Sequence, residues 1–283
     1  MKVTILGGSG LLGKALVAAW QAEAALPDDI RAFGSREVDI RNPQRVRDIV
    51  HPQRPDWIVL AAAYTDVDAC ESNQDQAFAV NRDGAVNVAH AAKDIGARLL
   101  FLSSDYVFDG RKTSPYETTD PRNPQSVYGR SKAEAELRLL DVMPNCCIVR
   151  TSWLFGIGGK CFPDTILKLA AGRPALDVVN DQRGSPTYAS DLAKTIIQLC
   201  RANASGIVHA TNTGDCTWFE FAREIVTASG LPTEVRPVNT AQMARPAPRP
   251  AYSVLSPESL RRFGITTPTW QDALQRYLQA RGQ

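Results

Sequence analysis

The sequence predicts an α/β protein, a Rossmann-type doubly wound parallel sheet with a smaller α+β substrate-binding lobe. Three observations lead there. Strands and helices alternate through the first half, a glycine-rich turn joins the first strand to the first helix, and that regularity breaks down in the second half.

Lys2–Leu6 is a short β-branched run ending in glycines, and residues 11–21 carry apolar side chains at helical spacing. The alternation continues with a strand over 30–33, a helix over 43–50, a strand over 57–62, one long helix over 74–95 and a strand over 98–103. Beyond these come helical patterns at 131–140, 162–171, 191–201 and 270–278 and a strand at 146–150. The proline cluster Arg245-Pro246-Ala247-Pro248-Arg249-Pro250 suits only an ordered loop or linker. The expected partition is 1–152 with 176–212 for a dinucleotide-binding domain, and 153–175 with 213–283 for the lobe.

Composition narrows the functional classes. A chain of 283 residues with 44% hydrophobic and 22% charged residues can bury a large core, and a net charge of +2 gives no electrostatic case for nucleic acid or an anionic membrane. The longest apolar runs fall well short of the roughly 20 residues that span a bilayer. The N-terminus enters a strand pattern rather than a signal peptide, so a cytoplasmic location is expected. The six cysteines form no CxxC pair and no zinc-type spacing, so reduced thiols and no metal site are expected.

Gly7-Gly8-Ser9-Gly10-Leu11-Leu12-Gly13 satisfies GxGxxG between a strand and a helix. There, glycine permits a tight turn and a close approach of pyrophosphate to the main chain, and the helix N-terminus offers free N–H groups. Gly7, Gly10, Leu11, Leu12 and Gly13 are therefore candidate cofactor contacts. At the end of the second strand, Phe33-Gly34-Ser35-Arg36 shows no carboxylate to bind a ribose 2′-OH, whereas Ser35 and Arg36 suit a 2′-phosphate. NADPH is expected over NADH, with Asp39 and Ile40 flanking the adenine.

Tyr128-Gly129-Arg130-Ser131-Lys132 sets a phenol and an ammonium four residues apart, on one face of a helix. A neighbouring cation favours phenolate and is expected to lower the tyrosine pKa from about 10. Tyr128 can then exchange a proton with a carbonyl oxygen as hydride arrives at its carbon. Ser104, just past a strand, can hold that oxygen, and Lys132 can also hold a nicotinamide ribose. The alternative roles are a turn cap for Ser104, a packed aromatic for Tyr128 and a solvated cation for Lys132.

With these motifs the chain resembles the extended short-chain dehydrogenases, and within them the dTDP-4-dehydrorhamnose reductases. The resemblance also rests on residues 61–68 (AAAYTDVD), 104–110 (SDYVFDG), 150–156 (RTSWLFG), 179–188 (VNDQRGSPTY) and 249–253 (RPAYS). It implies that Ala62, Ala63, Tyr64, Thr65 and Leu102 line the cofactor with Tyr128 and Lys132. It further implies that Ser104, Asp105, Tyr106, Trp153 and Gln182 meet a dTDP-linked keto-sugar, with Arg183, Arg245 or Arg249 near its pyrophosphate. The implied reaction is reduction of the sugar's 4-keto group. Some members carry acidic residues after the third glycine that serve a magnesium-linked dimer, and Lys14-Ala15 stands there here. A divalent metal is accordingly an open expectation, and a monomer or weak homodimer is expected. Two rivals stay open: a dehydratase or epimerase on the same scaffold, disfavoured by Tyr106 where dehydratases resemble Thr-Asp-Glu, and a non-catalytic regulatory subunit like the partner of methionine adenosyltransferase.

Overall fold

A computed structural model describes residues 1–23 and 28–282; residues 24–27 and Gln283, the last residue of the expected lobe, lie outside that description. The first half runs β1 (Lys2–Leu6), α1 (Leu11–Ala22), β2 (Asp29–Phe33), α2 (Pro43–Gln53), β3 (Trp57–Leu60), α3 (Val67–Ser72), α4 (Gln74–Phe78), α5 (Gly84–Asp94), β4 (Arg98–Ser104), α6 (Val127–Val142) and β5 (Cys147–Thr151). There follow β6 (Leu154–Phe155), α7 (Phe162–Ala170), β7 (Ala175–Val179), β8 (Arg183–Gly184), β9 (Thr187–Tyr188), α8 (Ala189–Arg201) and β10 (Gly206–His209). The chain ends with β11 (Cys216–Thr217), α9 (Trp218–Ala228), β12 (Glu234–Val238), α10 (Glu258–Arg261) and α11 (Trp270–Arg281).

Six of these strands form one parallel sheet in the order β10-β5-β4-β3-β1-β2. The near-continuous apolar runs of the inner strands follow from burial on both faces, while the edge strand β2 (DIRAF) is partly exposed. Side chains of a strand alternate across the sheet, so Leu100 and Leu102 join Val3, Ile5, Trp57 and Val59 beneath α1 and α8. Leu99 and Phe101 join Ile58, Leu60 and Ile148 against α2, α5 and α6 on the other side. The order reverses beside β1, where β2 leaves to one side and β3 to the other. This places a crevice outside the carboxyl ends of β1 and β3.

A third core, built on Phe155, Leu176, Val178, Tyr188, Phe221, Ile225, Trp270 and Tyr277, belongs to the lobe. There β7 pairs with β12, β8 with β11 and β6 with β9. The expected partition put residues 176–212 with the dinucleotide-binding domain. The strand pairing of 175–188 is instead with the lobe, and that stretch packs on the main sheet only from α8 onward.

Two further local differences bear on the site. The single helix expected over 74–95 is interrupted by a π-helical turn at Ala79–Asp83, which turns Asn81 inward. A short helix, α3, follows the AAAY segment, capped by the Asp66 carboxylate accepting from Ala69 N–H at 3.0 Å. All six cysteines are buried free thiols.

Candidate functional site

Two adjoining hollows of about 460 and 450 Å³ run along the carboxyl ends of the strands and share Gly7, Gly10, Ala61 and Ala63. The glycine turn is their common floor. Gly7 has φ +101°, and a Cβ on it would lie 2.5 Å from the Ala62 nitrogen. A Cβ on Gly13 would lie 2.2 Å from the Gly7 carbonyl oxygen, so helix and turn could not close with a larger residue. Gly10 is the N-cap of α1 and brings no side chain to its first-turn N–H groups, nor does an acidic residue stand in that turn. Uncapped donors opening onto a groove of this shape fit the pyrophosphate of a dinucleotide.

The first hollow is walled by Ser9, Gly34, Ser35, Val38, Asp39, Ile40, Arg41, Ala62, Tyr64 and Val80, among others. Ser35, Asp39, Ile40, Ala62, Ala63 and Tyr64, the expected cofactor contacts on this side, all line it. Arg36 is exposed and does not line the wall. The strand end also holds a carboxylate after all. Glu37, reached by a tight turn, folds back so that its Oε2 accepts from Gly34 N–H at 2.7 Å, a contact invisible in the local order Phe33-Gly34-Ser35-Arg36. Asp39 is held below the ordinary carboxylate range by hydrogen bonding to Arg41, whose guanidinium grips it at 2.7–3.1 Å.

The second hollow gathers Gly7, Gly10, Leu11, Leu12, Gly13, Thr65, Leu102, Ser104, Asp105, Tyr106, Tyr128, Lys132 and Trp153 from stretches far apart in sequence. Ser104 ends β4, and its hydroxyl donates to Asp105 Oδ1 at 2.9 Å and accepts from Tyr106 N–H at 3.2 Å. Tyr128 and Lys132 lie in the first turns of α6, which Ser126 caps through Gly129 N–H. Asn81 braces the whole: its side chain exchanges hydrogen bonds with the Tyr64 backbone and donates to Ser131 Oγ at 2.9 Å, while Ser131 donates to the Tyr128 carbonyl. The Tyr64 loop and helix α6 are thereby tied together.

The electrostatics differ from the sequence reading in one respect. Burial pushes the Tyr128 phenol well above its ordinary value, and the Ser104 hydroxyl opposes this only in part; Lys132 is not what sets it. Lys132 is itself pulled down to about 7 by burial, with its Nζ 4.1 Å over the Phe101 ring. Burial likewise raises Asp105 to about 6, with the Ser253 and Ser104 hydroxyls opposing it, and its buried Oδ2 makes no hydrogen bond of sound geometry. Tyr106 packs edge-on against Tyr128, ring centres 5.7 Å apart.

Gln182 does not reach either hollow; it is buried and donates to Thr240 Oγ1 at 2.8 Å. Arg183 pairs with Asp215 and Glu220, and Arg249 with Asp68. Trp153 does line the cleft, but its indole stacks on Trp218 at 3.5 Å and 8°. Sequence reasoning missed Trp218, Lys160 and Thr151, all of which line the second hollow. Thr151 could have been found from its register opposite Ser104; Trp218 and Lys160 arrive through lobe packing that no local pattern encodes.

The RmlD substrate binding domain family model matches residues 1–282. The chain is 40% identical over 280 residues to the spore coat polysaccharide biosynthesis protein SpsK of Bacillus subtilis (strain 168), covering 99% of this chain and 98% of that one. It is 41% identical over 287 residues to the dTDP-4-dehydrorhamnose reductase of Mycobacterium tuberculosis (strain CDC 1551 / Oshkosh), covering 99% and 93%. The dTDP-4-dehydrorhamnose reductase of Bacillus anthracis str. Ames, solved in complex with NADP, superposes with a TM-score of 0.93 at 38% identity over 99% of both chains. A parallel sheet carrying a dinucleotide cradle beside a Ser-Tyr-Lys cluster, matched over its whole length by these relatives, places the chain in the dTDP-4-dehydrorhamnose reductase family.

Proposed function

We propose that this chain reduces the 4-keto group of dTDP-4-dehydro-β-L-rhamnose to give dTDP-β-L-rhamnose, with NADPH preferred and NADH accepted. The observation that carries the reading is one cleft that joins the glycine cradle to Ser104, Tyr128 and Lys132. A reduced nicotinamide dinucleotide, when bound, supplies the hydride. The glycine turn and the N-terminus of α1 hold its pyrophosphate, Ala62 to Thr65 and Leu102 wall it, and Asp39 and Ile40 flank its adenine.

Ser104, turning its one hydroxyl proton from Asp105 Oδ1 to the sugar carbonyl, favours the charge that develops on that oxygen. Tyr128 gives its phenolic proton to the same oxygen. Burial keeps that phenol protonated at neutral pH, as a donor must be. Lys132, as an ammonium beside it, stabilises the phenolate left behind and holds the nicotinamide ribose. Asp105, Tyr106 and Trp153 contact the sugar, with Trp218 widening the aromatic wall. Gln182 acts on the substrate side through its loop rather than from the cleft wall. Asp105 is the one carboxylate among the residues lining this hollow, which supports a reductase over a dehydratase that uses two.

No described helix is long and apolar enough to cross a membrane. A cytoplasmic monomer or weak homodimer serving polysaccharide biosynthesis is the setting we propose. At the position of the metal-linked acids, Lys14 donates to the Gly158 carbonyl at 2.7 Å, which speaks against a metal-bridged dimer there.

The test is stoichiometric oxidation of NADPH by dTDP-4-dehydro-β-L-rhamnose, measured beside other 4-keto-sugar nucleotides and beside NADH. Tyr128→Phe removes only the transferable proton, so cofactor affinity is expected to stay while kcat falls on the order of a hundredfold or more. Near-normal turnover by that variant, or tight NADPH binding with no oxidation by any keto-sugar, would sink the mechanism.

A further inference from the structure

The face of α6 that carries Tyr128 and Lys132 continues one turn to Glu136, at the same four-residue interval. Glu136 is completely buried. Its Oε1 accepts from Ser103 Oγ at 2.5 Å and from Arg150 Nε at 2.9 Å; its Oε2 accepts from Arg150 Nη2 and Arg122 Nε, both at 2.6 Å. Ser103 immediately precedes Ser104, and it stands opposite Arg150 in the β4–β5 ladder. One carboxylate therefore fastens α6, the end of β4 and β5 to one another, directly behind the reacting groups.

Its surroundings are unbalanced in charge. Lys132 on α6, Arg150 on β5 and Arg122 on the preceding loop face a single anion. Among the nearest described titratable groups, His209 on β10, 3.4 Å from Arg150, is pulled down to about 3 and is neutral, and the Cys146 thiol is pushed up to about 11; Asp120, an anion beyond His209, is taken up by Lys112. A buried ion cluster is seldom more stabilising than apolar side chains of the same volume, so stability alone gives little reason for this one. Lys132 supplies a reason. Burial drives its ammonium toward the neutral amine, and Glu136 is the influence that opposes this.

We propose that Glu136 is a positioning residue for the reduction: through Ser103 it fixes the Ser104 end of β4 against α6, and as the buried anion one turn along the same helix face it favours the charged form of Lys132. The proposal rests on the reductase reading for its effect on turnover, but its electrostatic half can be read without turnover.

The experiment has two arms on the full chain. In the first, lysine labelled with ¹³C at Cε is followed by NMR through a pH titration, with the Lys132 signal assigned by its absence in Lys132→Met. Glu136→Gln is expected to move that titration to lower pH by about one unit or more. Glu136→Asp, which keeps the buried charge but withdraws it by a methylene, is expected to move it less and is the variant to use if the glutamine protein does not fold. In the second arm, Ser103→Ala is expected to lower kcat on the order of tenfold with little change in KM, because Ser103 borders the hollow but spends its hydroxyl on Glu136, so its loss loosens Ser104. An unmoved Lys132 titration in the folded variant overturns the electrostatic half, and wild-type kcat in Ser103→Ala overturns the geometric half. Failure of the reductase reading looks different, because the unmodified protein itself then oxidises no NADPH.

Discussion

Arg36 and Glu37 are neighbours with opposite consequences for the cofactor. The guanidinium is exposed just beyond Ser35, where a 2′-phosphate would need a cation, while the carboxylate folds back onto Gly34 N–H. An acidic group at this strand end repels a 2′-phosphate, but a carboxylate already accepting a backbone hydrogen bond is less free to take a ribose hydroxyl. We therefore propose that the cation outweighs the carboxylate. Arg36→Ala is expected to weaken NADPH about 1.5- to fivefold, the range of an exposed ion pair, and to leave NADH nearly unchanged. Direct titration of both cofactors checks this, and equal losses would put Arg36 away from the phosphate. The residue scale also shows where sequence was a good guide. Tyr128 and Lys132 were legible because helical periodicity alone brings them together. The state of the phenol was not, because burial is a property of the assembled fold and outweighs the effect expected of Lys132.

Between elements, the informative contact is the one that holds Trp153. Its backbone sits at φ +46°, a left-handed conformation that costs a non-glycine residue about 1–2 kcal/mol. The surroundings compensate: Trp218, opening α9, stacks on one side of the indole, and Gly184 in β8 lies so close that a Cβ there would come within 2.6 Å of the ring. Three segments of the lobe thus converge on one aromatic at the cleft edge. Gly184→Ala is expected to destabilise the protein by about 1–3 kcal/mol through overpacking and, by displacing the indole, to raise KM for the sugar nucleotide more than it lowers cofactor affinity. Denaturant unfolding and steady-state kinetics read the two effects separately; an unchanged KM would remove Trp153 from the substrate. None of this was legible from the motif at 150–156, which marks the tryptophan as special but not what covers it. The π-helical turn at Asn81 is a comparable case. The apolar periodicity of 74–95 reads as one helix, and only the buried bonds from Asn81 to Tyr64 and Ser131 explain the extra residue in the turn.

For the molecule as a whole, the parallel sheet was readable because its inner strands are buried on both faces and carry their own apolar runs. The lobe was not, because its strands are two to five residues long and find partners far along the chain, as β7 does with β12. The two parts are nonetheless closely joined. Leu11, the first residue of α1, packs against the core beneath the sheet and against the lobe core alike, and a Cβ on Gly156 would lie 2.9 Å from the Ala189 side chain. Since Leu11 also lines the cleft, a dinucleotide bound there touches the junction of both cores. Heating is therefore expected to give one cooperative transition rather than two, and NADPH at about 100 times its Kd should add about 2.7 kcal/mol to the folded state. At roughly 2–4 °C per kcal/mol for a chain of this size, the midpoint should rise by roughly 5–10 °C. Differential scanning calorimetry decides the matter. Two separate transitions would show the lobe melting on its own, and a midpoint indifferent to NADPH would mean that the cleft does not hold the dinucleotide.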